Sequence, residues 1–336
     1  MTVNVGVIGV GMIGQDHIRR LTQVLSGAAV VAVSDVDADR ARAVAADLPG
    51  AAVLPSGAEL IDADEVNAVM VTSWGPTHEP YVRGAISAGK PVFCEKPLAT
   101  TPGACRRIMD AEAARGRRLV MVGFMRRYDA AYRALRAVLA DESIGTPLLV
   151  HCAHRNPSVP ANYVSEMAIN DTAIHEFDVV RWLLDEEIVA CRVVSGRRNV
   201  RRGTGLQDPI LLLLETASGC VVDIEVSVNI GYGYDIRCEV VGDDGTAALA
   251  DLGPVVVRRG GRLGAAIPGD WRERFIRAYD AELQAWLNAV AGGGSAGPSA
   301  WDGFAATAVA DACLRAMRTG ERVPVSLGER PDFYRK

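Results

Sequence analysis

The chain has 336 residues, 49% apolar and 23% charged, an ordinary globular composition and a length that favours two domains with separate cores. Its 36 basic and 41 acidic residues leave a formal charge of −5. That balance excludes the overall bias expected of a chain built around nucleic acid or an anionic membrane surface.

Residues 1–5 run straight into a strand with no basic leader, so no signal peptide is expected. No apolar run reaches membrane-spanning length. Seven scattered cysteines, without a CxxC pair, suit free thiols in a reducing compartment. A cytoplasmic location is expected on these three observations.

Residues 3–8 form a short β-branched strand, and Gly9-Val10-Gly11-Met12-Ile13-Gly14 follows at once, ahead of the helical pattern Ile18, Leu21, Leu25. A GxGxxG between strand and helix has a physical meaning that the bare motif lacks. Gly9 permits the tight turn, Gly11 lets the backbone approach a pyrophosphate, and Gly14 allows close helix–strand packing. The N–H groups of Met12 and Ile13 would then meet the phosphate at a helix N-terminus. A second strand, 30–34, ends in Asp35, about 20 residues on, where a carboxylate accepts from a ribose 2′-hydroxyl and repels a 2′-phosphate. The cofactor expected is therefore NAD rather than NADP.

The alternation continues through a helix at 38–48, strands at 52–54 and 68–72, a helix at 81–88, a strand at 91–94, a helix at 102–115 and a strand at 119–122. Six strands with intervening helices make a doubly wound parallel sheet, a Rossmann domain over 1–123. Ligands bind such sheets at the strand C-terminal ends, which points to Ser73, Trp74 and His78, to Glu95-Lys96-Pro97, and to 123–127.

From 124 the pattern changes. A helix at 131–139 and a strand at 148–155 precede a helix read over 170–184. Ile174, Phe177, Val180, Arg181 and Leu184 make its mostly apolar face, while Asp171, His175 and Asp178 share another. A carboxylate one turn from an imidazole suits general-base work, because it fixes the tautomer of a group that titrates near neutrality. Strands at 193–195, 210–215, 220–228, 236–241, 247–250 and 255–258 lack helices between them, so a largely antiparallel sheet is expected. Arg197-Arg198 and Arg201-Arg202 read as solvated turns. Late helices at 275–290 and 301–318 complete an α+β domain over 124–336, with packing back on the first domain as the expected variation. His151, Cys152 and His154 cluster, but on a strand only Cys152 and His154 share a face, so no metal site is expected.

Gly9-x-Gly11-x-x-Gly14 with Asp35, followed by Ala88-Gly89-Lys90-Pro91-Val92-Phe93-Cys94-Glu95-Lys96-Pro97-Leu98-Ala99, resembles the Gfo/Idh/MocA family of NAD(P)-dependent oxidoreductases. The resemblance implies that Lys96 reaches both nicotinamide and substrate, and that Pro97 follows a cis bond. Within that family, the blocks at 123–129, 154–157, 171–178 and 231–239 are similar to the bacterial inositol 2-dehydrogenases over nearly the whole chain. That likeness implies that Arg126, His154, Asn156, Asp171, His175 and Tyr234 line a polyol pocket beside Lys96. It also implies NAD-dependent oxidation of myo-inositol, and a homo-oligomer, expected to be a tetramer, packed through the second domain's sheet.

The residue types agree with this independently. A cyclic polyol displays only hydroxyls, so its pocket must offer many hydrogen-bonding side chains. The alternatives are the same chemistry on scyllo-inositol, another isomer or a pyranose sugar, and a dinucleotide-sensing regulator that would not need Lys96, Asp171 and His175 together.

Overall fold

The computed structural model describes residues 2–199, 205–250 and 255–335; Arg201-Arg202 lie outside the described residues. Two units emerge from the contact pattern. One combines 1–125 with 279–307 and 329–336, and the other combines 126–278 with 308–328.

The first unit carries β1 (Val3–Ile8), α1 (Met12–Gln23), β2 (Ala28–Ser34), α2 (Ala38–Ala46), β3 (Ala52–Val53), α3 (Gly57–Asp62), β4 (Ala68–Val71), α4 (His78–Ser87), β5 (Val92–Glu95), α5 (Pro102–Arg115) and β6 (Val120–Gly123). The six strands are all parallel in the order β3-β2-β1-β4-β5-β6, the doubly wound arrangement expected of alternating strands and helices. β4, β5 and β6 are buried at every position, as strands covered on both faces must be. Local chemistry sets the helix starts. At α3 the Ser56 hydroxyl accepts the Glu59 N–H (3.1 Å) and donates to Glu59 Oε1 (2.9 Å), and Thr101 caps α5 ahead of Pro102. Trp286 packs on Phe93, with ring centroids 5.7 Å apart. A Cβ on Gly303 would come within 2.6 Å of the Leu98 side chain, so the helix carrying it approaches the turn after β5 closely.

The second unit begins with α6 (Ala130–Ala140), β7 (Pro147–Arg155), the single turn α7 (Ser165–Met167) and α8 (Ile174–Leu184). Then come β8 (Ile188–Ser195), β9 (Ile210–Thr216), β10 (Val221–Ser227), β11 (Asp235–Gly242), β12 (Thr246–Ala248), β13 (Val256–Arg259) and β14 (Arg262–Ala265). The late helices α9 (Trp271–Ala291) and α10 (Ala300–Thr319) are each divided between the units, and β15 (Val323–Pro324) closes the second sheet. That sheet has seven strands in the order β12-β11-β7-β10-β9-β8-β15, antiparallel except for the β7–β10 pair. β9 alternates buried and half-buried residues along its length, the mark of a sheet with one face in a core.

Two expectations need correction. The strand expected at 255–258 does not join this sheet: among the described residues β13 and β14 pair only with each other, as a separate hairpin. The helix expected over 170–184 is broken. Residues Ala168–Thr172 form a π-turn, in which the Ala173 N–H donates to the Ala168 carbonyl five residues back (3.0 Å), and α8 starts only at Ile174. The hydrophobic spacing that suggested one helix carries no sign of the extra residue in that turn.

Candidate active site

The glycine turn is built by close approach. Gly9 has φ +92°, and a Cβ there would stand 2.5 Å from the Ser73 backbone; one on Gly14 would stand 2.1 Å from the Gly9 carbonyl oxygen. Neither position admits a side chain without backbone movement. Gly11 caps α1, and a Cβ there meets nothing within 4 Å. Its backbone therefore faces open space, beside the N–H groups that Met12 and Ile13 present at the start of the helix.

That space belongs to a cavity of about 340 Å³, whose lining includes Gly9, Gly11, Asp35, Arg40, Ser73 and Trp74. Asp35 is held in place by two backbone donors, Val10 N–H to Oδ2 (2.7 Å) and Asp37 N–H to Oδ1 (2.9 Å). A glycine cradle at a helix N-terminus, with a fixed carboxylate at the end of the second strand, fits a dinucleotide: anion at the amides, ribose at the carboxylate.

His78 and Glu95, both expected to touch the cofactor, are tied into the protein by their side chains. His78 is buried, and its ring nitrogens meet the Pro97 carbonyl (2.7 Å) and the Ser73 carbonyl (2.9 Å), tying the turn after β4 to the turn after β5. Burial pulls its imidazole below the ordinary 6.5 against both carbonyls. Glu95 is buried as well. Its Oε1 meets His17 Nε2 at 2.7 Å, and its Oε2 accepts the Lys96 N–H at 3.1 Å. Both residues brace the turn that carries Lys96, and the Lys96–Pro97 bond is cis.

The second unit brings Arg126, His154, His175 and Tyr234 together. Arg126 is fully buried against Glu176, and His154 Nδ1 lies 3.1 Å from Arg126 Nη2 and 3.0 Å from Glu176 Oε2. The Tyr234 hydroxyl is 3.4 Å from His154 Nε2, and the rings of His154 and His175 are 6.4 Å apart. Burial pushes the Glu176 carboxyl up, but Arg126 and His154 outweigh it and hold it below the ordinary 4.5. Burial, with Arg126 opposing, pushes the Tyr234 hydroxyl up to about 12, so it stays protonated and able to donate.

Asp171 is half-buried in the π-turn. Tyr163 pins that turn by donating to the Met167 carbonyl (2.8 Å) and pairing with the Thr172 hydroxyl (2.6 Å). Asn156 is half-buried at the end of β7, with its backbone bonded to Ser227 and Ile230. Cys152 and His154 face inward, whereas His151 is exposed on the other face of β7 and pairs with Asp223.

Sequence reasoning missed Glu176 and His17. An ionisable residue inside the apolar run of α8 was the available signal for Glu176, and a histidine facing the sheet from α1 was the signal for His17.

Family models account for nearly all of the chain. Residues 3–124 match the Gfo/Idh/MocA "Oxidoreductase family, NAD-binding Rossmann fold", and residues 136–327 match that family's "C-terminal alpha/beta domain". This chain belongs to the Gfo/Idh/MocA oxidoreductase family. Among its relatives in that family is the inositol 2-dehydrogenase 3 of Saccharopolyspora erythraea, 57% identical over 99% of this chain and 98% of the relative. The inositol 2-dehydrogenase of Serratia proteamaculans is 54% identical over the full length of both. A crystal structure of myo-inositol dehydrogenase from Lactobacillus casei, in complex with NAD(H) and myo-inositol, superposes with a TM-score of 0.97 at 42% identity and full coverage of both chains. The cavity at Gly9–Asp35 lies within the matched NAD-binding domain, and His154, Glu176 and Tyr234 lie within the matched C-terminal domain.

Proposed function

We propose that this chain oxidises one ring hydroxyl of myo-inositol to the ketone, giving 2-keto-myo-inositol (scyllo-inosose), with NAD as its cofactor. The observation that carries the reading is the buried set of hydrogen-bonding side chains around His175 in a chain whose full-length relatives are inositol 2-dehydrogenases. Arg126, Glu176, His154 and Tyr234 hold one another in fixed orientations, so hydroxyls would meet preset partners rather than mobile ones. A site that pairs each hydroxyl rejects analogues strongly, because unmatched buried groups are costly.

Bound NAD supplies the hydride acceptor. Gly9, Gly11, Met12, Ile13 and Gly14 hold its pyrophosphate; Asp35 takes the adenosine ribose; Ser73 and Trp74 line the same cavity. His175 accepts the proton of the reacting hydroxyl, with the Asp171 carboxylate fixing its tautomer, and Lys96 stabilises the charge developing on that oxygen. Arg126, His154, Asn156 and Tyr234 bind the remaining hydroxyls. The division of labour is a dinucleotide domain over 1–123 and a polyol domain over 124–336. The test is a panel of inositol isomers and pyranose sugars with NAD, followed by NADH absorbance. Turnover best on myo-inositol is the expected result; NADH from sugars alone, or from no polyol at all, overturns the reading.

The protein is also proposed to assemble as a tetramer through the second sheet. Supporting this, Leu149 (40% exposed) and Val221 (38%) lie side by side on its outer face, next to the exposed His151–Asp223 pair. An uncovered apolar sheet face favours burial against a copy of itself. Light scattering showing a monomer at micromolar concentration defeats this. Among the described residues no helix is long and apolar enough to cross a membrane, and all seven cysteines are free and buried. Both observations support a cytoplasmic location.

A further inference from the structure

The carboxylate assigned to the tautomer of His175 sits in an irregular piece of backbone. One residue more than a regular turn allows is inserted at Ala168–Thr172, where the Ala173 N–H reaches back to the Ala168 carbonyl. Such an insertion puts the local backbone ladder out of register, and it persists where neighbouring groups support it. Tyr163 gives that support from the loop after β7. Its ring is buried, its hydroxyl donates to the Met167 carbonyl at 2.8 Å, and the Thr172 hydroxyl lies 2.6 Å away. A tyrosine has one hydroxyl proton and the carbonyl takes it, so Thr172 is the donor in the second bond. The result is a directed chain from the Thr172 O–H through the Tyr163 O–H to the Met167 carbonyl, and Asp171 adjoins its first member. The loop is itself fixed. The Asn156 N–H donates to the Ser227 carbonyl (2.8 Å), the Val159 N–H to Asn229 Oδ1 (3.3 Å), and the Gln207 N–H to the Ser165 hydroxyl (2.8 Å).

We propose that Tyr163 is a positioning residue for the dehydrogenation: by holding both ends of the π-turn, its hydroxyl fixes where Asp171 points, and through Asp171 the setting of the His175 imidazole. It rests on the reading of Asp171 and His175 as the acid–base pair. Both bonds of the Tyr163 hydroxyl are buried, and buried polar groups are costly to leave unpaired. Phenylalanine at this position would keep the packing of the ring but take a partner from Met167 and Thr172 together. The turn then relaxes toward regular helical pairing, and Asp171 swings with it. Burial, with the Asp171 carboxylate adding to it and Thr172 opposing, raises the Tyr163 hydroxyl above its ordinary 10. It therefore keeps its proton through the neutral range. The titratable groups gathered near His175 in this unit are Asp171, His154 on β7, and Glu176, Arg126 and Tyr234, which meet His154. Of these, Asp171 is the one carried by the π-turn. A carboxylate beside an imidazole favours the protonated ring, and so raises the pH at which the ring becomes a base.

The test compares Tyr163→Phe with Tyr163 on two backgrounds, wild type and Asp171→Asn. The single variant keeps its ring and should melt within a few degrees of wild type. Its kcat should fall by about ten- to a hundredfold, the cost of misplacing a group at the reacting centre. The polyol KM and the NAD dissociation constant should each move by less than about threefold, because the loss lies in the transition state. The rising limb of kcat/KM should shift to lower pH, since the imidazole loses its fixed carboxylate. On Asp171→Asn, the same substitution should cost kcat less than about twofold, because an effect passed through Asp171 has nothing left to act on. Equal losses on both backgrounds, or an unmoved pH limb in Tyr163→Phe, assign Tyr163 to packing and overturn the proposal. Asp171→Asn as active as wild type removes Asp171 from the mechanism and the proposal with it. A crystal structure of Tyr163→Phe reads the same point without turnover: Asp171 should be displaced, and an unchanged π-turn overturns the proposal even if activity falls. Wild-type protein that turns over no polyol, with Asp171 displaced in that structure, counts against the proposed substrate alone.

Discussion

His17 Nε2 stands 2.7 Å from Glu95 Oε1, with the His17 side chain fully buried and that of Glu95 9% exposed. The other oxygen of Glu95 holds the Lys96 N–H, so the helix that begins at the glycine turn is bonded through one carboxylate to the residue assigned to the substrate oxygen. His17 Nδ1 has no hydrogen-bond partner among the described residues.

His17→Ala leaves a buried carboxylate short of a donor. The expected cost is roughly 2–4 kcal/mol, combining a lost hydrogen bond to a charge with a cavity. Because Lys96 loses its brace, kcat should also fall by about tenfold, the effect of a small misplacement at a reacting centre. His17→Gln, which keeps a donor, should recover more of kcat than of stability. Thermal unfolding and steady-state kinetics on the two variants separate these effects; equal loss of kcat in both would assign His17 to packing alone.

Glu176 makes acid stability predictable in sign. Its carboxyl is held below the ordinary 4.5 by Arg126 and His154, so its contribution is complete above pH 4.5 and is lost as pH falls through the lower folded-state value. Glu176→Ala strands the buried Arg126 charge and should cost roughly 3–5 kcal/mol near neutrality. Glu176→Gln should give a flatter stability curve on the acid side. Urea unfolding at a series of pH values checks this: parallel curves for wild type and Glu176→Gln would mean that Glu176 is not the titrating group.

Gly11→Ala and Gly14→Ala should part company. The added Cβ meets nothing at Gly11 but lies 2.1 Å from a carbonyl at Gly14. Gly11→Ala should leave the melting temperature unchanged and weaken NAD binding by about tenfold or more, by blocking the backbone's approach to pyrophosphate. Gly14→Ala should lower both. A Gly11→Ala protein that binds NAD normally would remove the pyrophosphate from this turn.

His175 and Lys96 are distinguished by pH. His175→Ala should lower kcat by roughly two to four orders of magnitude, the range for positioned acid–base groups, with little change in the NAD dissociation constant. Lys96→Ala should reduce both kcat and polyol affinity. Wild-type kcat/KM should rise with pH as the base deprotonates, and that limb should vanish or move in His175→Ala. If it stays with only a modest rate loss, Lys96 is the base and His175 merely binds a hydroxyl.

The glycine turn, Asp35 and the parallel sheet were legible because each rests on local chemistry: a strand, a backbone-limited turn, then a helix. That Cys152 and His154 share one face of β7, with His151 on the other, followed from strand alternation in the same way. Partnerships across long stretches of chain were not legible. Glu176 looks like one acid in a helix until Arg126, 50 residues earlier, is folded against it. His78 sits at a strand end where ligands bind, and only the fold shows its ring turned to two carbonyls.

The π-turn at Ala168–Thr172 has one more consequence. Each residue of an α-helix advances the chain by near 100° around its axis. A segment with one residue too many for its turns therefore carries Asp171 on a different meridian from the one that counting back from His175 would assign. Deleting a single residue between Ala168 and Thr172 would let the helix run on regularly, keep its apolar stripe buried and leave the fold recognisable. It would also rotate the carboxylate away from its present setting, so the chain tolerates a change of length here only by giving up the placement of Asp171.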